Sequence, residues 1–194
     1  MPPRPKITRE MVIEAGLGIV RSEGQESLNV RRIAAALKCS TQPVMYHFKT
    51  VDELKADIYA AADAFHTEYI TQPDGSSEPL LAMGLNYIRF AEKEKHLFRF
   101  LFQSDKFRNI GLSDMLGSEE TEFLIKPLEE QSGLSRGQAK KVFETLFVCV
   151  HGFASLLANN SMEYNEAHCA EMLKNIYNST VEYIKKGKKN EKAV

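Results

Sequence analysis

The residues best suited to chemistry lie together in the stretch KCSTQPVMYHFKT, residues 38–50, which combines two lysines with a histidine, a tyrosine, a glutamine and two threonines. Such side chains carry positive charge or form hydrogen bonds, as the groups that contact nucleic-acid phosphates and base edges do. At helical spacing, the side expected to pack inward holds Ser40, Pro43, Val44, His47 and Phe48. The opposite side, which we expect to be exposed, holds Thr41, Gln42, Met45 and Tyr46.

The exposed side suits insertion into the major groove of DNA. Gln42 can form two hydrogen bonds with an adenine, and Thr41 can meet a thymine methyl group or a base edge. Tyr46 can reach a phosphate. The flanking cations, which are candidate contacts to phosphates or guanines, are Arg31, Arg32, Lys38 and Lys49. In the alternative interpretation, this is a tight helix pair within a bundle, and Gln42 and Tyr46 are ordinary surface residues.

The distribution of charge supports a polyanionic partner for the beginning of the chain. The whole chain of 194 residues has a formal net charge of −1. Residues 1–50 hold eight Lys/Arg and four Asp/Glu, a net charge of +4, whereas residues 51–194 hold 17 and 22, a net charge of −5. The first quarter of the chain is therefore the part suited to nucleic acid.

Helices must position these residues, because apolar residues recur at helical spacing almost throughout and alternating strand patterns are missing. We expect a first helix from Thr8 to Gly24 and a second that Asn29 caps. After a break at residues 38–39, Ser40 is the expected cap of a third helix. A capping box at residues 50–53 then begins a fourth. Two short helices joined by so short a turn form a helix-turn-helix.

The rest of the chain also predicts helices. A linker-like break at residues 71–79 precedes two helices that are interrupted near residues 93–96, and a loop then leads to a helix at about residues 118–131. A second capping box, Ser135 to Gln138, begins an eighth helix, and a ninth covers about residues 165–186 before a frayed basic tail. The sequence thus predicts nine helices and an all-α fold.

The eighth helix is apolar on every side, so every side must be covered. In a chain this short we expect a second subunit to cover one side, with the ninth helix as its companion. The residues expected at this homodimer interface are Val150, Phe153, Leu157, Ile176 and Ile184.

The segment EGQESLNVRRIAAALKCSTQPVMYHFKTVDELKADIY resembles the DNA-binding region of the TetR family of transcriptional repressors. The resemblance covers about residues 7–60 and includes the pair Ile33 and Ala34 and the exit motif that begins at His47. It implies a helix-turn-helix domain at residues 1–50 and a roughly six-helix domain for ligand binding and dimerisation at residues 51–194. The implied function is a ligand-responsive dimeric repressor that binds a palindromic double-stranded DNA operator.

Two positions depart from the family pattern. The family usually has glycine in the turn where this chain has Lys38, and a left-handed backbone there would cost on the order of 1 kcal/mol. The family also tends to place a phosphate-binding tyrosine where this chain has Met45, so a neighbour would have to supply that contact. The residues expected to bind DNA are Lys6, Arg31, Arg32, Thr41, Gln42, Pro43, Tyr46, His47 and Lys49.

By the same resemblance, the later helices would enclose a small-molecule effector, and their aromatic residues predict a largely apolar or aromatic one. The residues expected to line that site are Met83, Tyr87, Phe98, Phe102, Phe123, Phe147 and His151. Plain core packing is the competing interpretation for most of them. Tyr87 and His151 have polar tips that need a partner, although His151 is also consistent with a core imidazole that the protein itself satisfies.

The sequence contains no motif that indicates another class of function. The cysteines, Cys39, Cys149 and Cys169, are scattered without a metal-binding spacing, which is typical of reduced intracellular thiols. We find no catalytic motif, cofactor motif, signal peptide or apolar run long enough to span a membrane, and we expect a soluble cytoplasmic protein that is not an enzyme. The alternative function is an α-helical protein-interaction module that does not bind DNA, against which the basic residues around the third helix argue.

Overall fold

The computed structural model describes residues 7–73, 78–103, 122–160 and 162–191, with side chains as far as residue 187. All regular elements in these residues are helices, which confirms the all-α expectation. The α-helices in the described part of the chain are α1 (Arg9–Glu23), α2 (Val30–Ala36), α3 (Thr41–Met45), α4 (Val51–Thr71), α5 (Pro79–Lys93), α6 (Lys95–Phe102), α7 (Glu122–Ser132), α8 (Arg136–Asn159) and α9 (Glu166–Glu191).

Contacts divide the chain into two compact units. The front unit comprises Met1–Glu68 and Lys93–Ser104, and the back unit comprises Tyr69–Glu92 and Asp105–Val194. This grouping describes packing, and the functional division at residue 50 remains a prediction.

The helix boundaries of the front unit follow from local hydrogen bonds. The Thr8 hydroxyl accepts a hydrogen bond from the Met11 N–H at 3.3 Å, and the Asn29 side chain accepts one from the Arg32 N–H at 3.0 Å. Gly24, which ends α1, has a φ of 88°, a conformation that glycine adopts without a steric penalty. The expected beginnings of α1 and α2 and the expected end of α1 are therefore confirmed.

The front unit has a continuous apolar core that fixes the helices around α3. Its most deeply buried side chains include Val12, Val20, Ile33, Val44, Leu54, Ile58, Leu97 and Leu101. Gly16 is needed for this packing, since a Cβ atom there would lie 2.3 Å from Cδ1 of Ile58. That close approach lets α1 and α4 meet.

The back unit has its own core around α7, α8 and α9. Its buried residues are Ile125, Leu128, Leu134, Ala139 and Val142. The expected capping box at the beginning of α8 is present, because the Gln138 side chain accepts a hydrogen bond from the Ser135 N–H at 3.1 Å. The expected seventh helix begins at Glu122 in the described residues, and residues 118–121 lie outside them.

Two features of α8 and α9 differ from the sequence expectations. By length and composition alone, α8 is apolar enough to cross a membrane, as the core helix of a soluble protein also is, although the sequence predicted no such segment. The last helix, expected to end near Lys186, continues to Glu191. Lysines in the final turns favour that extension, because cations stabilise the negative end of a helix dipole.

His66 on α4 is the buried titratable group of the front unit core. Its side chain is 6% exposed, and its ring packs edge-on against Phe102 of α6 with 5.1 Å between ring centroids. Burial penalises the imidazolium form and lowers the pKa of His66 from 6.5 to about 4. Between these two pH values, His66 is therefore neutral in the native protein and protonated in the unfolded chain.

We expect acid to destabilise the fold through His66. Between pH 6.5 and about 4 the unfolded state binds the extra proton, so the free energy of unfolding should fall as the pH is lowered, by roughly 2 to 3 kcal/mol from this group. Urea unfolding followed by circular dichroism at pH 7 and pH 4.5 measures this difference in the free energy of unfolding. His66→Leu, which keeps apolar volume, should remove that share of the difference, and an unchanged pH dependence would contradict the assignment.

Candidate functional site

The short helix α3 presents the polar face that the sequence predicted. Val44 is fully buried and Phe48 is 4% exposed, whereas Thr41 and Gln42 are exposed and the side chain of Tyr46 is 82% exposed. Ser40 occupies the expected capping position in an extended conformation, but its side chain makes no capping hydrogen bond. The expected division is confirmed for these five residues, whereas Ser40, which was expected to pack inward, is exposed because it lies at the cap before the first turn of α3.

The positions at the edge of these two sides are half-buried. They are Pro43, Met45 and His47. The Nε2 atom of His47 lies 2.9 Å from the carbonyl oxygen of Ile7, so this imidazole is hydrogen-bonded to the chain just before α1. Its ring also meets the Tyr46 ring edge-on, with 5.5 Å between centroids, and this contact supports the exposed tyrosine.

The turn between α2 and α3 contains a strained lysine. Lys38 has a φ of 53°, and its N–H donates to the carbonyl of Ala35 at 3.1 Å, while the N–H of Cys39 donates to that of Ala34 at 2.9 Å. This pair of bonds is the Schellman motif that usually ends a helix on glycine. The left-handed conformation that the sequence raised for Lys38 is therefore present, at a cost of roughly 1 kcal/mol.

The cations near α3 divide into paired and unpaired ones. Arg32 is hydrogen-bonded to both carboxylate oxygens of Glu23, so its charge is already balanced. Arg31, Lys38 and Lys49 are exposed, and no carboxylate among the described residues forms an ion pair with them. The unbalanced positive charge beside α3 is thus carried by these three residues. Lys6, also expected to bind DNA, lies outside the described residues.

The capping interactions at the beginning of α4 extend back to Lys49, which lies in the exit of α3. The hydroxyl of Thr50 accepts a hydrogen bond from the Glu53 N–H at 3.0 Å, and the Glu53 carboxylate accepts one from the Lys49 N–H at 2.7 Å. The Lys49 N–H, followed by the Arg9 side chain, lowers the pKa of Glu53. The carboxylate is therefore ionised at neutral pH and fixes the backbone at the exit of α3.

Arg9 is a residue that sequence reasoning missed. From the first turn of α1 its guanidinium contacts Glu53, Asp57 and the carbonyl oxygen of His47, and it lies over the ring of Phe48. Two carboxylates one helical turn apart on α4 were the signal in the sequence, but nothing local indicated which cation would pair with them.

In the back unit, Tyr87 and His151, the two polar side chains that the sequence singled out, form a hydrogen bond with each other. The Tyr87 hydroxyl lies 2.9 Å from Nδ1 of His151, and the Phe147 ring stacks on the imidazole at 20° with 5.4 Å between centroids. Burial lowers the pKa of His151, which favours the neutral ring. The interpretation of His151 as an imidazole that the protein itself satisfies agrees with this geometry.

The other residues expected to line an effector site are not all gathered at this cluster. Met83 and Phe123 belong to the back unit, where Phe123 is 44% exposed on α7. Phe98 and Phe102 belong to the front unit, where their rings lie 5.1 Å apart and Phe98 is fully buried. The structure therefore brings together Tyr87, Phe147 and His151.

A second group that the sequence did not indicate holds the end of α4. Asn86, 5% exposed on α5, donates to the carbonyl oxygens of Ile70 at 3.3 Å and Gln72 at 3.0 Å. Its own side-chain oxygen accepts a hydrogen bond from Arg89, which also pairs with Glu166 at 2.7 Å. This buried amide satisfies carbonyl groups that the end of a helix otherwise leaves without partners.

The residues expected at a dimer interface differ in how far the single chain already buries them. Val150 and Leu157 are 8% and 3% exposed within the single chain, which leaves them little surface for a partner. Phe153, Ile176 and Ile184 are half-buried. The apolar residues that α8 exposes are Val148 and Leu156, at 52% and 47%, and they lie on one face with the exposed Gly152 between them. The periodicity of an all-round apolar helix could not distinguish these faces.

No group of three or more His, Cys, Asp or Glu residues that could hold a metal ion occurs in the part of the chain that the structure describes. The described residues thus offer two features that could bind a ligand or a partner. One is the basic surface around α3, and the other is the aromatic cluster of Tyr87, Phe147 and His151.

Comparison with known proteins adds a family match in the half of the chain that the helix-turn-helix does not cover. Residues 80–176 match the family described as "Tetracyclin repressor-like, C-terminal domain", which is half of the chain. No curated protein sequence matches the chain.

Solved structures share the fold. The multidrug binding protein EbrR, crystallised in complex with imidazole, is 16% identical over 91% of this chain and 96% of its own, with a TM-score of 0.52. Apo ActR from Streptomyces coelicolor is 18% identical over 92% of this chain and 97% of its own, with a TM-score of 0.50. At these identities the likeness shows the fold alone, and it extends over nearly the full length of both chains.

The strain at Lys38 gives a stability prediction. Lys38→Gly should raise the free energy of unfolding by about 0.5 to 1 kcal/mol, because glycine adopts the positive φ without the steric penalty, although its unfolded chain is more flexible. Lys38→Ala is the matched control, since it removes the charge and keeps the strain. Urea unfolding of both variants measures the difference, and equal stabilities would show that the turn is unstrained.

Proposed function

Because the chain belongs to the TetR family of transcriptional regulators, we propose that it is a dimeric repressor that a small apolar or aromatic molecule releases from a palindromic operator. Members of this family are ligand-responsive DNA-binding regulators rather than enzymes. The observation that carries the proposal is α3, whose exposed side chains are polar or aromatic and which is bordered by Arg31, Lys38 and Lys49, three cations without an ion pair to any carboxylate of the described residues.

In this proposal α3 lies in the major groove. Gln42 and Thr41 read base edges, while the exposed Tyr46 reaches a phosphate in place of the tyrosine that Met45 replaces. Arg31, Lys38 and Lys49 bind phosphates because their charges are unbalanced in the free protein. Arg32 contributes less than the sequence predicted, since contact with DNA would have to displace Glu23.

The back unit is the proposed sensor. Its aromatic cluster offers flat rings on which a ligand can pack. Tyr87 and His151 are hydrogen-bonded to each other, and either side chain can form a hydrogen bond to a ligand instead. EbrR is described as a multidrug binding protein, which supports an effector with an apolar or aromatic body.

A second copy of the chain is the proposed partner of α8. Val148, Gly152 and Leu156 follow one another at intervals of four residues, so they form one exposed strip along the helix. Apart from the adjoining backbone of α8, no atom of the described residues lies within 4 Å of a Cβ placed on Gly152, which leaves room for a helix of the partner. Two-fold symmetry would then present two copies of α3 to a palindrome. We propose that this dimer acts in the cytoplasm.

DNA binding can be tested with the DNA upstream of the gene that encodes the chain. We expect a gel shift that weakens steeply with salt, because phosphate contacts release counterions. Gln42→Ala combined with Tyr46→Ala should reduce affinity at least about tenfold. Lys49→Gln should lower the slope of log K against log salt by about 0.9, whereas Lys126→Gln, an exposed lysine on α7, should not change it. A wild-type protein that shifts no DNA would exclude the proposal.

Dimerisation can be tested by sedimentation at micromolar concentration. We expect the wild type to sediment as a dimer, and Val148→Asp with Leu156→Asp to sediment as a monomer, because buried unpaired carboxylates are strongly unfavourable. Val51→Asp places the same charge on an exposed apolar residue of the front unit and should leave the dimer intact. A double variant that remains dimeric would show that the interface lies elsewhere.

A further inference from the structure

Residues 47–49, which form the exit of α3 after its cap Tyr46, are each held in a different way by one small group of side chains. The carbonyl oxygen of His47 accepts a hydrogen bond from Nη1 of Arg9 at 2.5 Å. The ring of Phe48 lies 4.5 Å below the carbon of the same guanidinium. The N–H of Lys49 is bonded to Glu53, whose other oxygen accepts a hydrogen bond from Arg9 at 3.2 Å. Arg9 therefore contacts the exit of α3 directly at two residues and through a carboxylate at the third.

This anchoring matters because α3 has only five residues, Thr41–Met45, and a helix of little more than one turn is not stable by itself. Its direction depends on what holds it at either end and on the buried side chains of Val44 and Phe48. At its beginning, Ser40 makes no capping hydrogen bond. Side chains therefore hold α3 at its exit, whereas the side chain of Ser40 does not hold its beginning.

We propose that Arg9 is a positioning residue that sets the orientation of α3 for reading DNA, an inference that rests on the proposed function. A guanidinium suits this task because its planar fork donates in several directions while its face stacks on a ring. Arg9 uses both properties: it reaches Asp57 at 2.9 Å through Nε and at 2.7 Å through Nη2, and it also contacts Glu53, His47 and Phe48. A lysine has one charged atom and cannot make this set of contacts.

Arg9 does not act as a phosphate contact in this arrangement. Two carboxylates balance its charge, so the group of Arg9, Glu53 and Asp57 carries no excess positive charge. A phosphate approaching Arg9 would meet Glu53 and Asp57 at the same time. The effect of Arg9 on DNA binding must therefore pass through the geometry of α3.

Arg21 provides a matched control on the same helix. It pairs with the Glu94 carboxylate, and its guanidinium lies 5.1 Å from the ring centroid of Phe65, so it has the same kinds of contact as Arg9. Its contacts are to α4 and to the residue before α6 rather than to the exit of α3. Loss of Arg21 should affect stability in a similar way and leave the recognition helix in place.

The first experiment needs no DNA. Amide hydrogen exchange in the full-length chain reports directly on the Lys49 N–H, which is bonded to Glu53. We expect Arg9→Gln to speed exchange at Lys49 at least about tenfold relative to Arg21→Gln, and Arg9→Lys to fall between Arg9→Gln and the wild type. Equal exchange at Lys49 in the Arg9→Gln and Arg21→Gln variants would overturn the proposal.

The second experiment uses a DNA fragment that the wild type retards. We expect Arg9→Gln to weaken specific binding about tenfold more than Arg21→Gln does, with a salt slope that stays close to that of the wild type. A slope smaller by about 0.9 would overturn the proposal, since it would indicate a direct phosphate contact. Failure of the wild type to bind any DNA would remove the proposed function, while the exchange experiment would still decide whether Arg9 orients α3.

Asp57→Ala separates positioning from simple electrostatics. Removing a negative charge near DNA should tighten binding if charge alone matters, because the protein then repels phosphates less. If Arg9 positions α3, the same substitution removes a carboxylate that contacts two nitrogens of its guanidinium and should weaken specific binding instead. Tighter binding by Asp57→Ala would therefore contradict the proposal.

Discussion

The short length of α3 constrains the rest of the front unit. Five helical residues form too few internal hydrogen bonds to offset the loss of backbone freedom, so the surrounding residues must impose the geometry of this helix. Val44 and Phe48 supply the buried contacts below it, and the left-handed turn at Lys38 sets how the chain enters it. Glu53 and Arg9 then fix how the chain leaves it. The direction of its exposed side chains therefore depends on these contacts.

Interactions between residues close in sequence could be predicted, and those between distant residues could not. The caps at Thr8 and Asn29 and the facing of Gln42 and Val44 follow from side-chain chemistry and helical period within a few residues. Arg9, by contrast, meets Asp57 across 48 positions, and the chain offers many arginines and carboxylates that could have paired. Such choices depend on the tertiary packing, which no local pattern encodes.

The same limit explains the back unit. The sequence identified Tyr87 and His151 as polar groups that need hydrogen-bond partners. Because 64 positions separate them, it could not predict that they form a hydrogen bond with each other. It also identified α8 as a helix that must be covered all round, but not which apolar residues its own chain covers. Val150 faces inward and Val148 faces outward, and only the packing of the neighbouring helices distinguishes them. Composition could predict the need for burial but not its direction.

The amide of Asn86 has a consequence for how α4 can change. Capping interactions at Thr50 and Glu53 fix where the helix begins, and Asn86 binds the carbonyl groups at residues 70 and 72, where it ends. Residues 70, 72 and 86 all belong to the back unit, so the amide fixes the last turn of α4 within that unit. A side chain at position 86 that cannot donate would leave these carbonyl oxygens without that partner, at a cost of roughly 1 to 3 kcal/mol each when they are buried. Loss of Asn86 should therefore fray the end of α4, while the caps at its beginning keep their own hydrogen bonds.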